Sequence, residues 1–344
     1  MSFSGIHNLD ILRFERMTDF VRKVPSTGPH YCYETFFRPN QKPLRGTDTA
    51  SWDEVTRTRR RAPYGVRGAP AQRMDLLTRA RRSCSVADIF ISKALTGEQL
   101  EYLRKYGTED VEGARAMINE ELEDMVDLIH NTREHACYSV LRGSFSADQS
   151  ASTTAVKHKG AVFTLTFNVT TMTASNSWAS ASTNIYTDEL TAIENKGAEL
   201  GSPITRAIHE RTIADNLLKN TEVKSFLGES YKTQLLNSGK ITRVRGIDFI
   251  GYDTGDDDGG SWAKYITDPT EVLFLPGDNK NFRLFEADTL IPTPDGNDLM
   301  RVTPGIYSYA DITKNPAGIE LFVGYRFLPV NLYPERIIRF DSVP

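Results

Sequence analysis

Cysteine is scarce in this chain and long apolar runs are absent, and each absence removes a class of answer. Cys32, Cys84 and Cys137 are odd in number and far apart, which argues against a disulfide framework and for a reducing compartment. Their default reading is small buried apolar residues. The longest uncharged stretch, Gly160 to Thr187, is crowded with Thr, Ser and Asn rather than Leu and Ile, so it is not a membrane span. Asp10, Arg13, Glu15 and Arg16 interrupt the start of the chain where a signal peptide would keep an apolar core, and a protein made and kept in the cytosol is expected.

Chemical motifs are equally thin. No Gly-x-Ser-x-Gly elbow occurs. Ser238-Gly239-Lys240 has the end of a phosphate loop, but no Gly lies four or five residues before it and Ile241 stands where Ser or Thr is required. Asp253, Asp256, Asp257 and Asp258 precede Gly259-Gly260 without the alternate spacing or terminal Glu of a calcium loop, and read as a solvated loop tip. His130 and His135 sit five apart on a helical pattern, pointing in different directions, and ordinary packing is preferred over a metal site. No catalytic residue, metal or cofactor is expected.

What the chain has is a reversal of charge near residue 85. With 39% hydrophobic and 25% charged residues it is an ordinary soluble composition, and the overall charge of −4 conceals the asymmetry. From Gln41 to Ser85 eleven Lys/Arg stand against four Asp/Glu, net +7; from Val86 to Leu141 five stand against twelve, net −7. The basic stretch has a Gly/Pro-rich centre between arms rich in Thr and Arg. It reads as a long hairpin with few apolar residues of its own, which needs a partner surface. Arg57, Arg59, Arg60 and Arg61, with Arg67 and Arg73, are its cations. Guanidinium suits phosphate, yet strand alternation spreads these charges over two faces and only Trp52 and Tyr64 are nearby aromatics. Ion pairing with carboxylates of another subunit is favoured over nucleic acid.

The acidic segment carries the clearest periodicity. Thr96-Gly97-Glu98-Gln99 has capping-box spacing for a short helix that Gly107 closes. Val111, Ala114, Ile118, Leu122, Met125, Ile129, Ala136 and Val140 then form one apolar stripe. A helix over Asp110 to Leu141 is predicted, roughly 48 Å long at 1.5 Å per residue, with Gly143 ending it. Glu112, Glu120, Glu123, Asp124 and Asp127 lie mainly off the stripe, as a solvated or partner-facing surface rather than paired catalytic carboxylates.

Elsewhere, residues 1 to 40 show no period and read as an extended arm. Ala161 to Val169 alternates as a strand; Asp188 to Leu200 is helical; Ser202-Pro203 opens a second helix through about Leu218, and Val223 to Leu235 marks a third. Strands are expected at Ile241 to Tyr252, Trp262 to Ile266, Glu271 to Leu275, Ile319 to Phe327 and Arg336 to Phe340.

This order of parts resembles tailed-phage major capsid proteins, and more specifically the lambda major capsid protein family with the Hong Kong 97-type fold. The local matches are Val140-Leu141-Arg142-Gly143 closing the helix, the strand Arg243-Val244-Arg245-Gly246-Ile247-Asp248-Phe249-Ile250-Gly251-Tyr252, and Glu271-Val272-Leu273-Phe274-Leu275-Pro276 leading to Asn279. The resemblance implies an α+β capsid fold. It assigns an N-terminal arm to 1–40, an extended E-loop to 41–85, a P-domain with the spine helix to 86–183 and again to 301–344, and an A-domain to 184–300. It implies a non-enzymatic subunit that assembles as hexamers and pentamers into an icosahedral head, in the virion and, during assembly, in the host cytoplasm. The expected partners are further copies of itself, a separate scaffolding protein, a decoration protein, a portal at one vertex and non-specific contact with packaged double-stranded DNA, with no membrane. The alternatives are an encapsulin-like compartment, an intracellular hydrolase using the acidic helix, and a DNA-binding protein using the Arg cluster.

Overall fold

The computed structural model describes residues 12–26, 28–55, 79–96, 111–147, 163–257, 262–292, 298–314 and 317–344. Along the chain these form α1 (Phe14–Lys23), β1 (Gln41–Leu44), β2 (Thr49–Val55), β3 (Arg79–Ser85), β4 (Ala87–Thr96) and the long α2 (Val111–Arg142). Then come β5 (Ser144–Ala147), β6 (Phe163–Thr166), β7 (Thr170–Thr173), α3 (Leu190–Glu199), β8 (Ile204–His209), α4 (Arg211–Lys219), α5 (Thr221–Leu227), α6 (Glu229–Ser238), β9 (Arg243–Val244) and β10 (Ile247–Gly251). Last are β11 (Gly255–Asp257), β12 (Trp262–Lys264), β13 (Glu271–Pro276), β14 (Phe282–Ala287), β15 (Thr289–Pro292), β16 (Leu299–Val302), β17 (Tyr307–Lys314), β18 (Ala317–Asn331) and β19 (Ile338–Asp341).

Two compact units share the chain. One takes Met1–Ala50, Ser83–Glu134 and Leu284–Pro329; the other takes Ser51–Arg82, His135–Arg283 and Val330–Pro344.

In the first unit, β18 is the central strand of a five-stranded sheet. It lies between β14 and β17, with β4 also paired to it and β1 beyond β14. The β17 and β4 pairings are antiparallel, and alternate residues Ile319, Leu321, Val323, Tyr325 and Phe327 are buried, the period of two expected from the sequence. Gly324 is required there, because a Cβ would lie 2.3 Å from the Tyr307 hydroxyl of the opposing residue. α1 corrects the expected extended arm. Met17, Thr18 and Val21 are buried at helical spacing and the helix packs on β17. Thr18 Oγ1 donates to Ser308 O at 3.1 Å, and Arg22 Nε to Ile306 O at 2.9 Å. Six charged residues within Arg13–Lys23 obscure that stripe in the sequence.

The second unit is built on the sheet β7-β19-β13-β8-β10-β9. β8 corrects the helix expected after Ser202-Pro203. It runs parallel to β10 and antiparallel to β13, and none of its residues is exposed on either face, so its burial does not alternate. A strand of that kind has no period of two to read. The helix proper starts at Arg211, capped by the Glu210 carboxylate, which accepts from the Thr212 N–H at 2.8 Å. The expected third helix is two, α5 and α6, broken at Gly228 with φ +50°. The Ile241–Tyr252 strand is a hairpin whose turn, Arg245 (φ 53°) and Gly246 (φ 84°), has both central residues left-handed. The helix at Asp188–Leu200 is present as α3 with a preceding π turn, Ile185–Glu189. The Ala161–Val169 strand is present as β6, over Phe163–Thr166.

Candidate assembly surfaces

α2 has the length and bounds read from its apolar stripe. Ile118, Leu122, Met125, Val126, Ile129, Ala136 and Val140 are buried, and Gly143, at φ +108°, stops the helix where a Cβ would lie 2.9 Å from Val169. Its carboxylates do not behave alike. Glu120 and Glu123 are exposed and make no ion pair among the described residues. Asp124 and Glu121 grip Lys93 of β4, at 2.5 Å and 2.7 Å, which raises the ammonium above its usual range against the opposing effect of burial. Asp127 is half-buried and its field acts on His30. The side chain of Glu112 lies outside the described residues, as do Arg57, Arg59, Arg60, Arg61, Arg67 and Arg73 and the capping box at residues 97–99.

Of the segment expected to form a basic hairpin, the described residues 49–55 and 79–85 form β2 and β3, which pair. Ala50 and Trp52 are buried on one face of β2. Arg82 Nε reaches Glu54 Oε2 at 3.0 Å, and its guanidinium donates to Thr166 O at 2.8 Å. Burial raises the Glu54 carboxyl, opposed by Arg82. Arg79 and Arg81 share the other face of β3 and are exposed with no ion pair among the described residues. Sequence reading passed over both, although their two-residue spacing on a strand is the signal that places them together.

A third surface joins residues 28–40 to α2 within the first unit. The Glu134 carboxylate, fully buried, accepts from the backbone N–H of Cys32 at 2.7 Å and of Tyr33 at 2.8 Å. These are N–H groups at the start of a helical turn, Tyr33–Phe37, which no turn of its own can satisfy. The Arg133 guanidinium lies 3.5 Å over the Tyr33 ring and 5.8 Å from that of Tyr325. Phe36, Phe37 and Cys32 are fully buried there; Cys137, in the second unit, is buried as well.

The remaining motifs resolve into structure. Gly239 of Ser238-Gly239-Lys240 is the left-handed C-cap of α6. Asp253 and Glu210 share Lys264, at 3.5 Å and 2.6 Å; against the upward push of burial, Lys264 and Thr212 hold Glu210 down at about 2. His135 is exposed beside the Tyr265 ring, whereas His130 is buried. Among the described residues no group of His, Cys, Asp or Glu is arranged to hold a metal ion. Large apolar side chains left exposed include Leu128, Phe226, Trp262, Leu290 and Leu299, the last two on one β15–β16 ribbon.

The family described as phage major capsid protein E matches residues 14–342. The chain belongs to that family. It is therefore a phage capsid protein and a component of the virion. The putative capsid protein of a prophage of E. coli CFT073 has the same fold, with a TM-score of 0.60 at 9% identity over 96% of this chain and 99% of that one. The mature capsid protein of bacteriophage PhiM1 follows, with a TM-score of 0.50 at 10% identity over 92% and 90%. No curated protein matches the sequence.

Proposed function

We propose that this phage major capsid protein is a non-enzymatic shell subunit that forms hexamers and pentamers and closes them into an icosahedral head around packaged double-stranded DNA. The family match over residues 14–342 carries the reading. Residues 1–40 act as the arm, 41–85 as the E-loop, 86–183 with 301–344 as the P-domain, and 184–300 as the A-domain. A separate scaffolding protein, a decoration protein and a portal complete the assembly, which takes place in the host cytoplasm.

The basic hairpin of one copy lies over the α2 surface of the next. Among the described carboxylates of the expected set, two remain suited to receive it. Asp124 is engaged by Lys93 and Asp127 is half-buried, whereas Glu120 and Glu123 are exposed one helical turn apart. On the hairpin, Arg79 and Arg81 join the arginines of residues 57–73 as donors. Exposed pairs contribute only about 0–1 kcal/mol each, so they set register, and covered apolar side chains supply most of the adhesion.

The test is electron microscopy of the purified chain beside a variant with Arg59, Arg60 and Arg61 changed to Glu. Wild type should give closed shells of megadalton mass. The variant should stay folded and fail to assemble. Shells from the variant would remove the ion-pair reading, and a wild-type chain that stays monomeric alone and with its scaffold would remove the assembly reading.

A further inference from the structure

The arm and α2 also meet through two imidazoles. His30 and His130 are 6% and 7% exposed, with ring centroids 5.8 Å apart and planes at 89°. Nδ1 of each is buried without a hydrogen-bond partner, and so is Nε of Arg133, one turn along the helix from His130. Two side chains that ionise readily are thus enclosed beside a permanent cation.

The charges facing the pair come from both elements. On α2 they are Asp127 and Arg133; on the arm, Glu34. The neighbouring Glu134 carboxylate is occupied by the N–H groups of Cys32 and Tyr33. Burial, then Arg133, lowers His30, with Asp127 and Glu34 opposing. His130 has no such relief: burial, then Arg133 and His30, pushes it down to about 3.

We propose that His30 and His130 form an acid-sensitive latch, in which a proton taken up by either ring sets a second cation beside Arg133 in a closed site and lifts residues 28–40 off α2. The latch belongs to the single subunit and holds whatever the arrangement of copies in a shell. The sign follows from the depressed values. A released histidine titrates near its ordinary value of about 6.5. The contact's contribution is therefore complete above that pH and is lost as the pH falls from there toward the folded values. Each ring that takes up a proton on release shifts the balance toward the open arm about tenfold per pH unit, and both together about a hundredfold.

Hydrogen exchange of the full-length subunit from about pH 7.5 to about pH 5, corrected for intrinsic exchange rates, reads this directly, because the Cys32 and Tyr33 amides are themselves the latched donors. Protection at residues 32–40 should fall about ten- to a hundredfold per pH unit below about 6.5, while Glu271–Pro276 in β13 stays protected. His30→Asn with His130→Asn should remove the pH dependence. Should the double variant fail to fold, His30→Asn alone should reduce the slope to that of one proton. Protection at residues 32–40 that is flat in the wild type, or a wild-type slope retained in the variants, overturns the latch.

Discussion

The central strand β13 of the second unit and the Glu134 contact of the first are both closed to water, yet they are made of opposite materials. Every residue of β13 is buried, and Phe274 packs edge-on against Phe249 and Phe340 in a core with Trp178, Ile193, Leu217 and Val272. Its one buried carboxylate, Glu271, is matched by Arg142 at 3.0 Å and Arg339 at 2.7 Å. The arm contact instead encloses Glu134, Arg133, His30 and His130. Apolar burial is non-directional and indifferent to protonation, whereas a buried polar contact depends on each partner's position and charge. The first kind holds a subunit together. The second holds a segment in one place and can let it go.

The comparison is broken most severely at Phe274. Phe274→Ala removes a ring that three strands share and should cost about 3–5 kcal/mol. The loss should appear as a lower denaturant midpoint for the unassembled subunit, with its whole sheet affected. A midpoint unchanged within about 1 kcal/mol would mean that this core is not the stabilising one.

Glu134→Ala tests the other side of the comparison and should act locally. It deletes two charge-assisted hydrogen bonds and leaves the Cys32 and Tyr33 N–H groups buried without acceptors, a loss of about 3 kcal/mol from the arm contact. Exchange at residues 32–40 should rise at neutral pH while β13 keeps its protection. Equal loss in both places would show that the arm and the sheet unfold as one.

Much of the apolar packing in both units was legible in the sequence because burial writes itself as a period. The stripe Ile118, Leu122, Met125, Ile129 gave α2 to within a residue at each end, and Ile319 to Phe327 gave β18. β8 was not legible, since a strand with neither face exposed has no alternation and Ser202-Pro203 imitates a helix start. The arm contact was invisible for a different reason. Glu134 occupies a position that a helical pattern assigns to solvent, and only the backbone N–H groups of residues 32 and 33, a hundred residues away, explain its burial. Arg133 stands on the apolar stripe itself, between Ile129 and Ala136, and lies against the Tyr33 ring. Of the assembly surface, the acidic helix was readable as a set. Which carboxylates are spent within the subunit was not, because Lys93 lies on a strand whose contact with α2 has no sequence signal.

Lys93 supplies the smallest and sharpest test. Lys93→Ala removes both of its pairs, but Lys93 is about a third exposed and Asp124 is more than half exposed, so solvent already screens them. The stability cost should be about 0–1 kcal/mol, near the limit of a denaturation curve. Its effect on assembly should be larger than its effect on folding, and opposite in direction to a loss of contact. Freed from Lys93, Glu121 and Asp124 join Glu120 and Glu123 as receptors for a neighbour's arginines, so assembly at raised salt should improve over wild type in light-scattering titrations. Unchanged salt dependence would place the hairpin's partner away from this face of α2. Weaker assembly with unchanged folding would make Lys93 itself part of the contact between copies.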